Sequence, residues 1–325
     1  MKFKAIKLKS KTGIKLKIGM PKYEIDYIPS DTLYSALINS VAKLDKNKAE
    51  EIIEKTLKGK FLLSSAFPGI QINDKEIYFL PRPFIKPEKT DDEEEMKKRL
   101  RRVKYVSLKL FEEILNNVKL LDDTLLTSAP FGRVTFGKFG VMEGELPEYG
   151  IEIFVFHDEV SVGIDRLQRG SVPFYQTFLY GINYKDVRPF FYFLYLGDET
   201  YYFELMAEEG IGAERSSGAG RFEIEEGEIE LNIKDGEYCV NLSLVYPSDA
   251  DLKNCDFISY QIIPRGGWIT SIGGTGYLKP RIMMIKEGSV IKNIPHGELY
   301  KIDTGKLEHP VYHYGINFGI KFGVK

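Results

Sequence analysis

The sequence predicts a strand-rich α+β fold. It reads as two tandem ferredoxin-like (RRM-like) domains, residues 1–182 and 183–325, with a thumb-like β-hairpin projecting from the first at about 130–175. Three observations predict this. From Arg188 onward the hydrophobic period switches between 2 and 3.6 in the order strand, helix, strand, strand, helix, strand, the split β-α-β arrangement. The first half admits the same order with insertions. Between the halves, residues 127–182 read as strands around a polar, Gly-containing turn, as in a hairpin that leaves a sheet and returns.

The elements follow in order. Residues 2–9 and 14–19 alternate like strands. A helix starts at Asp31, read as its N-cap, with Leu33, Leu37, Ile38 and Val41 on one face. A second helix follows at 47–58, strands at 61–67 and 76–81, and a helix at 107–117. The run Asp91-Asp-Glu-Glu-Glu95, followed by Lys97-Lys-Arg-Leu-Arg-Arg102, reads as an inserted charged helix at about 91–102. Strands at 131–140, 151–164 and 174–181 build the hairpin, whose turn carries Arg166 and Arg169 near the tip. Residues 190–196 are apolar at even and odd positions alike, so that strand is buried on both faces. Its second face must be covered by the other domain or by a partner. The second domain continues with a helix at 199–209, strands at 221–225 and 238–246, a short helix at 248–254 and a strand at 257–263.

Residues 210–220, Gly-Ile-Gly-Ala-Glu-Arg-Ser-Ser-Gly-Ala-Gly, lie between a helix and a strand. Glycine permits positive φ and close backbone approach, and successive amides in such turns can hold an anion. Dinucleotide and Walker loops need the opposite order, strand to helix, because their phosphate sits at a helix N-terminus. GxxxxGK[ST] is absent. The loop is therefore either a long C-cap turn or a cradle for another anion.

Composition narrows the function. Hydrophobic residues make up 43% and net charge is −2, so any nucleic-acid site must arise from local charge segregation. The first 22 residues supply such a run, with eight lysines and no acid. Cys239 and Cys255 make neither a disulfide framework nor a zinc site. No apolar run is long enough to span a membrane and the N-terminus lacks a signal-peptide core, so a cytoplasmic location is expected. His309 and His313 are four apart, but Pro310 breaks any helix that would align them. No GxSxG, HExxH or CxxC motif occurs. No catalytic residue, metal site or cofactor is expected.

Several segments together carry a resemblance. The helix–Gly-rich loop–strand segment resembles the Gly-rich loop of RAMP proteins, the ferredoxin-like RNA-binding subunits of CRISPR systems. Ser30-Asp-Thr-Leu-Tyr-Ser-Ala-Leu37, Leu80-Pro-Arg-Pro-Phe84, Val162-Gly-Ile-Asp-Arg166, Ser243-Leu-Val-Tyr-Pro-Ser248, Arg265-Gly-Gly-Trp268, Glu287-Gly-Ser-Val290 and His309-Pro-Val-Tyr-His-Tyr-Gly315 fall in the order of one family. That family is the fourth subunit of type III-A (Csm) effector complexes. The resemblance implies a non-catalytic subunit that caps the 5′ handle of the crRNA. It also implies contacts to the large polymerase/cyclase-like subunit and to the first backbone subunit. Implied RNA-binding residues are Gly210, Gly212, Arg215, Ser216, Ser217, Gly218, Gly220 and Arg221 in the loop, and Arg166 and Arg169 in the hairpin. The alternative within the same superfamily is an RNA endonuclease, either processing crRNA or cleaving target RNA with Asp31.

Overall fold

The computed structural model describes residues 1–18, 25–88, 101–122, 124–129, 132–164, 170–270, 276–302 and 309–325. The main sheet draws on both halves of the chain. At its centre Glu223–Glu230, Lys2–Lys9, Val187–Leu196 and Phe67–Ile72 lie side by side, each antiparallel to its neighbour. Helix Ser30–Leu44 falls between Lys2–Lys9 and Phe67–Ile72 in the chain, and helix Thr200–Glu209 between Val187–Leu196 and Glu223–Glu230. In chain order this is β-α-β-β-α-β with spatial strand order 4-1-3-2. Beyond Phe67–Ile72 the sheet continues through Lys75–Pro81, Tyr105–Ser107, Phe139–Val141 and Arg133–Thr135.

The boundary at 182/183 is thereby corrected. It falls inside one sheet, because Val187–Leu196 pairs with Lys2–Lys9 and Phe67–Ile72. The expected unit running from 188 to 263 is also split. Glu223–Glu230 pairs with Lys2–Lys9, whereas Tyr238–Asn241 joins a second sheet ordered Asp256–Ser259, Val290–Lys292, Tyr238–Asn241, Gly319–Phe322. Local periodicity identifies a strand but carries nothing about a pairing partner some 180 residues away. In this second sheet the strand order again reads 2-3-1-4. Helix Asp249–Asn254 follows its first strand, and the hairpin of Gly297–Ile302 with Val311–Ile316 precedes its last.

The doubly apolar strand is buried as its pattern requires, with Phe190 through Tyr195 all at most 5% exposed. On one face Phe193 and Tyr195 pack edge-on against Phe203 of helix Thr200–Glu209. On the other, Phe190 and Tyr192 pack edge-on against Tyr78. On the adjacent strand Phe3 meets Phe318 of the C-terminal unit. The cover comes from this chain.

Asp31 is not a cap. Its helix begins at Ser30 after Pro29, without a side-chain capping bond. The Asp31 carboxylate is buried and accepts from Arg265 Nε at 3.0 Å and Nη2 at 2.8 Å. This ion pair ties the helix start to the Ile262–Thr270 strand of the C-terminal unit. Burial pushes the carboxyl up, and the guanidinium outweighs it and holds it below the usual range.

The N-terminal lysines meet the acidic strand beside them. Lys7 and Lys9 each bridge Glu76 and Glu225, and Lys11 pairs with Glu223 at 2.8 Å. This stretch of the basic run is a cross-strand ion-pair ladder rather than an open cationic stripe. Burial opposes the charge of Glu76. Hydrogen bonds from Lys7, Lys9 and Tyr78 outweigh it and bring the carboxyl from 4.5 to about 2. A depressed folded-state pKa contributes stability above the unfolded value and loses it as pH falls through the folded one. Wild type is therefore expected to lose stability between pH 4.5 and about 2. Glu76→Gln should cost about 1–3 kcal/mol at pH 7 and flatten that limb. Denaturant midpoints across this range check it, and an identical acid limb in the variant would refute the assignment.

Candidate nucleic-acid interface

The Gly-rich loop is built against strand Ile14–Leu16. One edge of that strand pairs with Leu179–Gly181 of the long hairpin. Its other edge takes the loop: the Ala213 amide donates to Lys17 O at 3.0 Å and the Gly220 amide to Lys15 O at 2.8 Å. Helix Thr200–Glu209 ends at Gly210, φ +96°, whose amide donates to Met206 O. The loop then crosses Gly212 (φ +89°) and left-handed Glu214 (φ +60°), makes a 3-10 turn at Arg215–Ser217, and leaves through Gly218 (φ +87°) and Gly220 (φ +73°).

The glycines differ in purpose. A Cβ on Gly220 would overlap the Ile211 carbonyl, and one on Gly212 would lie 2.6 Å from Lys17 O. A Cβ on Gly218 meets nothing within 4 Å. Gly220 and Gly212 serve the fold, whereas Gly218 is exposed at the rim with Ser216 and Ser217.

Most loop amides are already used. Those of Ile211, Ala213, Ser217, Gly218, Ala219 and Gly220 donate to backbone carbonyls, and the Ser217 hydroxyl donates to Glu214 O at 2.8 Å. The amides of Glu214, Arg215 and Ser216 have no intramolecular partner among the described residues. Nor do the Arg215 and Arg221 guanidiniums pair with a carboxylate there. Three consecutive donors and two uncommitted cations thus share one rim.

The hairpin of Phe154–Ile164 and Ser171–Gly181 rises from the same strand. At its base Lys15 bridges Glu159 at 2.7 Å and lies 4.3 Å above the Phe178 ring, and Lys17 reaches Glu214 of the loop at 3.4 Å. Hairpin and loop are thus fastened to each other. The hairpin begins later than the expected 130–175, because Arg133–Thr135 and Phe139–Val141 belong to the main sheet. Along its outer half Val160, Val162 and Ile164 line one face, and Tyr175 stands opposite Val160; all four are exposed. Arg166 and Arg169 lie outside the described residues, as do residues 91–100 of the expected charged helix.

The histidines do not converge. His309 is exposed, whereas burial and the Lys279 charge push buried His313 down to about 4. Among the described residues there is no group of three potential metal ligands. No helix there is long and apolar enough to cross a membrane.

A second feature received no role from the sequence. A cleft of about 450 Å³ opens between the main-sheet side and the 261–264 and 286–287 segments of the C-terminal half, lined by Tyr27, Arg82, Phe84, Lys104, Pro264 and Glu287 among others. The Leu80–Phe84 segment and the segments around Arg265 and Glu287 meet there. Those three segments are among the ones on which the family resemblance rests.

Residues 234–322 match the family model of the CRISPR Csm4 C-terminal domain. A CRISPR system Csm4 protein of Thermococcus onnurineus is 30% identical over 92% of this chain and 93% of its own length. One of Methanocaldococcus jannaschii is 26% identical over 99% of this chain and 98% of its own. Among solved structures, a chain of a Csm3–Csm4 subcomplex of the type III-A CRISPR-Cas interference complex matches with TM-score 0.62 and 20% identity, covering 98% of this chain and 99% of that one. A chain of a Csm1–Csm4 cassette in complex with cA4 matches with TM-score 0.60 and 22% identity, covering 100% and 99%. At those identities what is shared is the fold. The near-full-length sequence match carries more: the chain belongs to the Csm4 family of type III-A CRISPR effector subunits.

Proposed function

We propose that this chain is a non-catalytic crRNA-binding subunit that caps the 5′-handle end of a type III-A interference complex in the cytoplasm. In the same reading it bridges the large polymerase/cyclase-like subunit to the first backbone subunit, and its two sheets are tandem RAMP units with the long hairpin as thumb. The observation that carries the reading is the rim of the Gly-rich loop. Amides at 214–216 and the Arg215 and Arg221 guanidiniums, without a partner among the described residues, and an exposed, unobstructed Gly218 stand together beside the hairpin. Backbone donors and arginines suit RNA held as a splayed single strand, whose phosphates and 2′-hydroxyls are then reachable. The exposed apolar face of the hairpin supplies a contact surface of a kind that base planes or a protein partner cover. Cleavage of target RNA through Asp31 requires a reachable carboxylate, and both oxygens of Asp31 are bound by Arg265 in the interior.

Incubating the full chain with repeat RNA, with and without Mg²⁺, tests the non-catalytic part. The expected result is retention of intact RNA under both conditions. Specific cleavage abolished by Asp31→Asn would favour the endonuclease instead.

A further inference from the structure

The cleft combines a cationic lining with an apolar wall. Its lining carries four cations, Arg82, Arg101, Lys104 and Lys286, against two buried carboxyls, Asp26 and Glu287. Asp26 is already matched, accepting from Lys138 at 2.5 Å and from Tyr105 Oη at 2.6 Å, with Lys104 at 3.4 Å. Glu287 is buried and accepts from Tyr27 Oη at 2.7 Å and from Ser65 Oγ. Burial pushes its carboxyl above the usual range, which favours the neutral form.

Arg82 stands out. It is half-buried, and its Nε donates to Val103 O at 3.1 Å. No carboxylate lies within ion-pair distance of Arg82 or Arg101 among the described residues. A partly desolvated guanidinium with most donors unspent favours an anion beside it. Away from the rim, half-buried Phe84, Ile263 and Pro264 form an apolar wall. The cleft therefore suits a ligand with a flat apolar body and an anionic end, and its volume of about 450 Å³ is that of a small-molecule site.

We infer that this cleft seats one unstacked nucleotide of the bound single-stranded RNA, its base against Phe84, Ile263 and Pro264 and its phosphate on Arg82, Lys104 and Lys286. The inference rests on the RNA-binding reading above and adds a second contact point to it, remote in sequence from the Gly-rich loop. The cleft's walls come from different units: Arg82 and Phe84 follow a main-sheet strand, whereas Ile263, Pro264 and Glu287 belong to the C-terminal unit. Seating a nucleotide there would clasp the two units around the RNA.

The test measures binding of the full chain, assembled with its backbone and large subunits, to handle oligonucleotides carrying a single abasic site at each position in turn. One position is expected to cost about five- to hundredfold in wild type, the loss of one base contact. In Phe84→Ala the same abasic site should cost almost nothing further, because the contact is already gone. Arg82→Gln and Lys286→Gln should each lower the salt slope by roughly 0.7. Melting curves of each variant confirm that it is folded. Independent, multiplicative losses for abasic site and variant, with slopes unchanged, overturn the cleft assignment while leaving the loop assignment standing. Loss of subunit association with RNA affinity intact would assign the cleft to an acidic protein segment and overturn it as well. Failure of wild type to bind any handle oligonucleotide removes the RNA-binding reading, and this inference falls with it. Binding of free adenosine monophosphate at micromolar levels, with no response to abasic sites, identifies a free-nucleotide site instead.

Discussion

Arg265→Ala is expected to destabilise the fold by about 3–5 kcal/mol, the cost of leaving a buried charge without its partner. The two side chains are each only 6% exposed, and the guanidinium makes both hydrogen bonds to Asp31 as well as one to Thr32 Oγ1 at 3.0 Å. Once truncated, no hydrogen-bond donor to the Asp31 carboxylate from the C-terminal unit remains among the described residues. Lys279 is nearby but directs its Nζ to Ser35 Oγ and Tyr312 O. A paired replacement, Asp31→Leu with Arg265→Met, should recover most of the loss, since apolar residues of similar volume tolerate such a site. Denaturant midpoints of the two singles and the double give the coupling directly. A single variant within about 0.5 kcal/mol of wild type, the range of ordinary surface substitutions, would show that the pair does not join the two units.

The second large effect separates two glycines of one loop. Gly220→Val should destabilise the fold. Positive φ alone costs about 1–3 kcal/mol for a residue with a Cβ, and here the Cβ also overlaps the Ile211 carbonyl. Gly218→Val carries only the φ term, because its Cβ points into open space. Its predominant effect should fall on handle-RNA affinity, at a position where backbone meets ligand. Melting temperature reports the first variant and RNA affinity the second. Ser217→Ala is the companion, and its hydroxyl is committed to Glu214 O. Wild-type RNA affinity in both Gly218→Val and Ser217→Ala would reduce the rim to a structural turn.

What could be read from the sequence divides along a physical line. Local features were legible: the doubly apolar strand, the Gly210 C-cap and the order helix, glycines, strand all follow from nearest-neighbour chemistry. Features set by long-range pairing were not. Nothing near Val187–Leu196 says that it lies between residues 2–9 and 67–72, so the domain boundary was placed inside a sheet. The N-terminal lysines look like a nucleic-acid stripe in sequence because their acidic partners, Glu76 and the far more distant Glu223 and Glu225, are brought to them only by strand pairing. Asp31 matched an N-cap pattern because a polar residue before an apolar helix usually caps it. Its partner Arg265 could be found only through the fold. The cleft was hidden for the same reason, since its walls come from stretches of chain as far apart as residues 25–27, 81–84, 101–105, 261–264 and 286–287.

In the proposed function the Gly-rich rim holds the crRNA 5′ end without cutting it. The most direct measurement is a nuclease footprint of the crRNA 5′ handle in complexes assembled with wild-type subunit or with Arg215→Ala/Gly218→Val. The handle is expected to be intact, protected in wild type and opened to nuclease in the variant, with the remaining crRNA footprint and subunit content unchanged. A handle equally protected in both, or one cleaved by the wild-type subunit alone, would contradict it.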